Sequence, residues 1–232
     1  MKVLVTGAAG FIGEWVMKEL AANEYITVAF SGDVRNENTF PRGFFDVIIH
    51  LAALIPHRQH QTDGDFCEVN VQGTKNLCKA FPTAKMVFIS TTDIDRTQIS
   101  EYGKSKLEAE KIIEKQENYV IIRLPSVFGP KQRQNKLIPL LFRKYCQNGE
   151  CTINNNDTRE YIYVEDVAKQ IISKILEKGI ITLRGYKIRN FDLDTMIRAV
   201  CKGEIISELT FEEQEFLVRL TQCLPTYQER TV

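Results

Sequence analysis

The feature that most constrains this chain stands at its start. A short apolar run at residues 2–5 passes directly into Thr6-Gly7-Ala8-Ala9-Gly10-Phe11-Ile12-Gly13, and a helical pattern follows over Phe11–Ala22. A buried strand, a glycine turn and a helix in that order mark the start of a parallel α/β unit. The three glycines have separate reasons to be there. Gly7 allows the tight turn, Gly10 lets the backbone approach a pyrophosphate, and Gly13 lets helix and strand pack closely. The backbone N–H groups of Phe11, Ile12 and Gly13, with the positive end of the helix, then face phosphate oxygens.

The rest of the chain repeats the alternation. Further strands are expected at 25–30, 47–50, 86–90 and 119–123, with helices at 66–80 and 103–116 between them. The expectation is an α/β fold, a Rossmann-like doubly wound parallel sheet. One interval breaks the rhythm: residues 31–46 hold Gly32, Pro41 and Gly43 and no convincing helix, so one strand–helix unit is trimmed. After Pro130 the pattern loosens into a helix at 137–146, short strands at 151–154 and 161–164, and a helix at 166–177. Asp192 is placed to cap a helix over 193–202. Thr210-Phe-Glu-Glu213 fits a capping box, with Phe216, Leu217 and Leu220 as the apolar stripe behind it. Residues 1–130, returning to the sheet up to about 180, are read as a dinucleotide-binding domain, and 131–232 as a small substrate-binding lobe.

Composition removes several partner classes. Thirty basic side chains balance thirty acidic ones, which gives no electrostatic case for nucleic acid or an anionic membrane. No apolar run approaches the roughly 20 residues that cross a bilayer. The N-terminus lacks the layout of a signal peptide. The six cysteines (67, 78, 146, 151, 201, 223) form no CxxC pair, and the three histidines stand at 50, 57 and 60. A reduced cytoplasmic protein without a metal site is expected.

The second chemical signal is Tyr102-Gly103-Lys104-Ser105-Lys106. Four residues apart on a helix, Tyr102 and Lys106 share a face. An ammonium beside a phenol favours the phenolate and lowers the tyrosine pKa toward a working range. Ser90-Thr91-Thr92 ends the preceding strand, and the carboxyl ends of such strands are where parallel sheets bind ligands.

TGAAGFIG, His50-Leu-Ala-Ala53, Val69-Asn70-Val-Gln-Gly73-Thr74, Ile-Ser-Thr ahead of YGKSK, RLPSVFGP and REYIYVEDV follow one another in an order that resembles the extended short-chain dehydrogenases/reductases. The likeness covers about residues 1–180 and points to the nucleotide-sugar epimerase, dehydratase and reductase group. It implies that Tyr102 is the acid/base, that Lys106 lowers its pKa and holds the nicotinamide ribose, and that a hydroxyl assists at the reacting oxygen. Thr91 is preferred to Thr92 for that hydroxyl. Cofactor contacts are implied for Ser90, for Leu51, Ala52 and Ala53, and for Pro125 and Val127 beside the carboxamide. Asn70 is implied to brace the sheet. Substrate contacts are implied for Thr92 and Ser126, for Asn135, Lys136 and Leu137 in the nucleotide loop, and for Arg159 on the diphosphate.

The departures narrow the reaction. Dehydratases of the group carry Asp-Glu after the catalytic Thr, where this chain has Thr92-Asp93, which argues against 4,6-dehydration. Ser126 stands where the group usually has Asn. The trimmed region after the second strand, the short gap between Thr91 and Tyr102, and the terminal LTFEEQEFLVRLTQCLP are most similar to capsule-type 4-ketoreductases. Cofactor choice depends on Ser31, Asp33 and Arg35, an acid for a ribose hydroxyl and a base for a 2′-phosphate, and NADP is preferred over NAD. The expected function is hydride transfer at C4 of a nucleoside-diphosphate sugar, by a 4-ketoreductase or a 4-epimerase. A reductase of non-sugar carbonyls and a non-catalytic NAD(P)-sensing protein are the alternatives. The resemblance implies a homodimer through the two central helices. Val69, Leu77, Phe81, Leu107, Ala109, Ile112 and Ile113 are compatible with it because they exceed one narrow core-facing stripe, and the alternative is that all of them face the sheet.

Overall fold

Apolar runs that show no alternation make the parallel sheet of this chain. In the computed structural model, which describes residues 1–56, 62–147, 149, 153 and 156–228, β1 (Lys2–Thr6), β2 (Ile26–Phe30), β3 (Val47–His50), β4 (Lys85–Thr91), β5 (Tyr119–Leu124) and β8 (Gly179–Thr182) pair in the order β2-β1-β3-β4-β5-β8. Every pairing is parallel. Leu4, Ile48, Met86, Phe88 and Ile121 join one core cluster, while the alternate residues Val3, Val5, Ile49, Val87 and Ile122 are also fully buried. A sheet covered on both faces explains why these strands read as continuous hydrophobic runs. This frame belongs to the first of two compact units, Met1–Pro125 with Asp166–Leu183. The trimmed interval holds a single 3₁₀ turn at Glu37–Thr39, capped by Asn36, and the sheet goes from β2 and β1 straight to β3.

The helices of this unit are α1 (Phe11–Ala22), α2 (Asp63–Phe66), α3 (Gly73–Ala80), α4 (Glu101–Ile113) and most of α6 (Val164–Ser173). The helix expected over 66–80 is broken by a π turn at Cys67–Gln72, which carries the buried Asn70. The apolar excess read as a dimer face is mostly core. Leu77, Phe81, Ala109 and Ile113 are buried in the cluster under the sheet, and Val69 and Ile112 pack against it. Val69, Leu107 and Ile112 stay partly exposed on these two helices.

The second unit, Ser126–Glu165 with Arg184–Val232, has a three-stranded sheet. Its β7 (Thr158–Tyr163) runs parallel to β6 (Ser126–Phe128) and antiparallel to β9 (Tyr186–Arg189). Its core is aromatic: Phe128, Tyr161, Tyr163 and Phe216 pack together, with Phe128 and Phe216 ring centroids 5.0 Å apart. Helices α5 (Leu137–Cys146), α7 (Asn190–Lys202) and α8 (Phe211–Gln228) complete it. The capping box of α8 is formed: the Glu213 N–H donates to Thr210 Oγ1 at 3.2 Å, and the Thr210 N–H to Glu213 Oε2 at 2.9 Å. Asp192 does not cap α7. The helix begins at Asn190, and Asp192 lies in its first turn, ion-paired with Arg189 at 2.6 Å. The strand expected at 151–154 falls outside the described residues except for Ile153, which lies in irregular backbone. Among the described residues no helix is long and apolar enough to cross a membrane.

Candidate active site

The glycine turn is sterically specified. Gly7 has φ +70°, and a Cβ there would stand 2.7 Å from the backbone nitrogen of Ala52. A Cβ on Gly13 would lie 2.2 Å from the Gly7 carbonyl oxygen and 2.6 Å from that of Ala8. Gly10 differs: it is exposed, with φ −80°, and a Cβ would meet only the Gly7 oxygen, at 3.1 Å. No side chain caps the start of α1, so its first-turn N–H groups are left for solvent or a ligand. Leu51, Ala52 and Ala53 leave β3 beside Gly7, and the Leu51 N–H donates to the Thr6 carbonyl at 3.2 Å.

A directed hydrogen-bond chain supports that loop. Thr74 Oγ1 gives its proton to the Asn70 carbonyl at 2.6 Å, so it accepts from His50 Nε2 at 3.0 Å. His50 Nδ1 is then the acceptor for Thr6 Oγ1 at 2.7 Å, and Thr6 Oγ1 in turn accepts the Ala52 N–H at 3.2 Å. Burial holds His50 down to about 3, with the Lys106 charge acting in the same direction, so the imidazole is neutral. Asn70 braces the structure, as the motif implies. It accepts from the Leu54 N–H at 2.7 Å, and its Nδ2 donates to the Leu54 carbonyl at 3.0 Å and to Ser105 Oγ at 2.9 Å.

The carboxyl end of β4 and the start of α4 meet through Asp93. Asp93 accepts from the Ser100 hydroxyl, pairs with Arg96 at 2.8 Å, and raises the pKa of Tyr102. Ser90 Oγ is buried without a hydrogen-bond partner among the described residues. Thr91 Oγ1 accepts the Asp93 N–H at 3.1 Å, capping the 3₁₀ turn Thr92–Asp95. Its own proton stays available for donation, as does the partly buried hydroxyl of Thr92. Tyr102 packs edge-on to Phe66 at 6.3 Å, and Lys106, one turn along α4, is 2% exposed with Nζ 3.9 Å from the Phe88 ring centroid.

The protonation pattern corrects the expectation from spacing. Tyr102 is pushed up to about 12, by burial first and then by the Asp93 charge, rather than down by Lys106. Burial also brings the Lys106 ammonium down to about 7, against the opposing charge of Glu110.

Of the cofactor-selecting trio, Ser31, Asp33 and Arg35 are all exposed, and Asp33 and Arg35 pair with each other at 2.6 Å. Arg35 also lies 3.5 Å from Glu68, and its guanidinium keeps the Asp33 carboxyl below the usual range. Pro125, buried, ends the first unit.

The remaining predicted residues lie in the second unit. Ser126 is exposed at the start of β6, and the Val127 carbonyl accepts from Gln132 Nε2 at 2.7 Å. Lys136 occupies the N-cap of α5, and Leu137 packs on the aromatic core. Arg159 has no ion pair among the described residues; Glu160 accepts instead from the Gly185 N–H at 2.8 Å and lies 3.5 Å from Arg184. Asn135 Oδ1 is buried without a partner among the described residues, as are Gln132 Oε1, Gln134 Nε2 and Tyr161 Oη. Sequence reasoning missed Gln132, Gln134 and Tyr161. A visible signal was two amides spaced two apart just before Asn135.

The sequence model of the NAD dependent epimerase/dehydratase family matches residues 3–181. A dTDP-D-glucose 4,6-dehydratase of Dictyostelium discoideum is 25% identical over an alignment covering 77% of this chain and 56% of that protein. The chain thus spans little more than half the length of that relative. An uncharacterized UDP-glucose epimerase of Bacillus subtilis is 29% identical, covering 74% of this chain and 71% of its own. The structure of UDP-glucose 4-epimerase with UDP-glucose from Thermotoga maritima shares the fold, with a TM-score of 0.80 at 17% identity and 100% of each chain covered.

Proposed function

The chain belongs to the NAD dependent epimerase/dehydratase family, and from that premise we propose that it is an NAD(P)-dependent enzyme acting at C4 of a nucleoside-diphosphate sugar, as a 4-ketoreductase or a 4-epimerase. The observation that carries this reading is a part-buried Tyr102 one turn from a buried Lys106 on α4, whose Lys106 Nζ lies over Phe88 of β4, the strand near whose end the buried Ser90 hydroxyl has no hydrogen-bond partner among the described residues.

The residues fit a dinucleotide. The open approach at Gly10, the uncapped start of α1 and the adjoining Leu51–Ala53 backbone make a cradle for a pyrophosphate, and Ser90 offers a buried polar atom in want of a partner. A bound nicotinamide supplies hydride chemistry. The chain's own part is proton handling. Tyr102 gives a proton to the C4 oxygen in reduction and takes one from it in oxidation, while the Thr91 hydroxyl, in preference to that of Thr92, donates to the same oxygen. Lys106, once charged, stabilises the phenolate that results and holds ribose hydroxyls. On the substrate side Arg159, without an ion pair among the described residues, offers a planar fork to a diphosphate, with Thr92 and Ser126 assigned to the sugar and Asn135, Lys136 and Leu137 to the nucleotide. The Asp33–Arg35 pair shifts our reading from NADP toward NAD, because the arginine that would take a 2′-phosphate already faces a carboxylate.

Two measurements test the proposal. Native mass spectrometry of the purified protein should show a retained nicotinamide dinucleotide. Incubation with UDP- and dTDP-sugars should give turnover, without added nicotinamide for an epimerase and only with it for a reductase. A protein that binds the dinucleotide but converts no nucleotide sugar or 4-keto sugar in either format would end the substrate assignment.

A further inference from the structure

We propose that Cys146 and Cys201 form an oxidisable dithiol in the second unit, a modification site that closes to a reversible intramolecular disulfide under peroxide or a small-molecule disulfide. The proposal does not depend on the assigned reaction. Cys146 is the last residue of α5 and Cys201 stands in the last turn of α7, and their sulfur atoms lie 3.4 Å apart although 55 residues separate them in the chain. The two helices are held together by a second bond, from the Tyr145 hydroxyl beside Cys146 on α5 to Asp194, two turns before Cys201 on α7, at 2.5 Å. A disulfide needs about 2.0 Å between sulfurs, so closure requires an approach of about 1.4 Å, and side-chain rotation at two helix ends provides movement of that kind.

The other thiols with described surroundings set this pair apart. Cys78 and Cys223 are buried, Cys67 is exposed, and neither Cys146 nor Cys201 is fully enclosed, so a small oxidant can reach them. Burial and the bond to Cys146 push the Cys201 thiol up to about 12, so it keeps its proton and is written as the second thiol to react. With peroxide the steps balance. The Cys146 thiolate attacks one peroxide oxygen, an S–O bond forms, the O–O bond breaks, and the departing hydroxide leaves as water. Cys201 then attacks the Cys146 sulfur, the S–S bond forms, the S–O bond breaks, and a second water leaves with the Cys201 proton. The two sulfurs supply the two electrons.

The test treats the full chain with equimolar hydrogen peroxide, alkylates the remaining thiols and maps the cross-link by mass spectrometry. The expected result is loss of two free thiols, one link joining the peptides of Cys146 and Cys201, reversal by dithiothreitol, and a thermal midpoint raised by several degrees on oxidation. Cys146→Ser and Cys201→Ser should each abolish the link, and Cys151→Ser should keep it. Oxidation confined to Cys67, a link that disappears with Cys151→Ser, or both Cys146 and Cys201 alkylated after peroxide would overturn the proposal.

Discussion

In the unit that holds the parallel sheet, buried polar side chains are bonded to one another: Thr6 to His50, His50 to Thr74, Asn70 to Ser105, and Glu110 to Arg123 at 2.7 Å. In the unit built on β6, β7 and β9, Gln132, Gln134, Asn135 and Tyr161 each bury a polar atom without a hydrogen-bond partner among the described residues. An unmatched buried donor or acceptor costs about 1–3 kcal/mol, so such atoms collect where a ligand or ordered water completes them. On the proposed reading, the first unit sets its chemistry internally and the second is completed by what it binds. The exception in the first unit, Ser90, stands near the end of β4, the strand on which Lys106 packs over Phe88.

The largest effect expected is on the first half's chemistry. Tyr102→Phe removes one hydroxyl and leaves the glycine turn, the His50 chain and Lys106 in place. Turnover should fall by about 10²–10⁴-fold, while dinucleotide affinity by calorimetry stays within a factor of two or so. A variant with wild-type turnover would remove the proton-transfer role.

The glycine turn separates packing from binding within that same half. Gly13→Ala drives a methyl against the Gly7 and Ala8 carbonyls, and should cost roughly 1–3 kcal/mol of folding stability. Gly10→Val meets no such wall and should leave the unfolding midpoint almost unchanged while abolishing dinucleotide binding. Equal losses of stability in the two variants would show that Gly10 is merely structural.

The two units also differ in how far the sequence discloses them. β1 to β5 are four to seven residues long, mostly buried on both sides, and bounded by turns, so their apolar runs are visible. The glycine positions are legible because backbone sterics admit no other residue at Gly7 and Gly13. β6, β8 and β9 have three or four residues, too few for a period to emerge, and α6 ends at Ser173 rather than at 177. The start of α7 was misjudged because Asp192, a good capping residue, is engaged by Arg189 instead. In the candidate site, the identities of Tyr102 and Lys106 were legible from a spacing of four, but their protonation was not. Burial depends on Phe66 and Phe88, which the Tyr-Lys motif does not contain. The Cys146–Cys201 contact is a tertiary fact across 55 residues, with no local pattern to announce it.

A third effect probes the internal bonding of the first unit through pH. His50 is held at about 3 in the folded chain against an ordinary value of 6.5, because it is buried and bonded as a neutral ring. Its folded value is depressed, so an unfolded chain binds a proton below pH 6.5 that the folded chain refuses. Stability is therefore complete above 6.5 and falls as pH drops toward 3, by up to about 1.4 kcal/mol per pH unit. Urea denaturation at pH 7, 6 and 5 measures the slope. Imidazole NMR at pH 5 should still show His50 as the neutral Nε2–H tautomer, and a protonated ring there would mean that the Thr6–His50–Thr74 chain is not closed.

The smallest effect belongs to the second unit and tests whether its core stands apart from its recognition groups. Thr210 and Glu213 exchange two hydrogen bonds at the start of α8, and that helix buries Phe216, Leu220 and Cys223 in the aromatic core. Thr210→Ala removes the acceptor for the Glu213 N–H and should cost about 1 kcal/mol, the usual worth of such a cap. For a chain of this length that corresponds to a fall of about 2–4 °C in unfolding midpoint. Thr210 is exposed and Glu213 half-buried, and neither they nor the buried α8 residues are among the assigned substrate contacts. The Michaelis constant for the nucleotide sugar should therefore stay unchanged while the midpoint drops. Arg159→Ala should behave in the opposite way, raising the Michaelis constant about tenfold through loss of a charge-assisted bond and leaving the midpoint in place. If both variants shifted both quantities together, core and recognition in this unit would be one cooperative element, and the unmatched Gln132, Gln134, Asn135 and Tyr161 would have to be explained by folding rather than by binding.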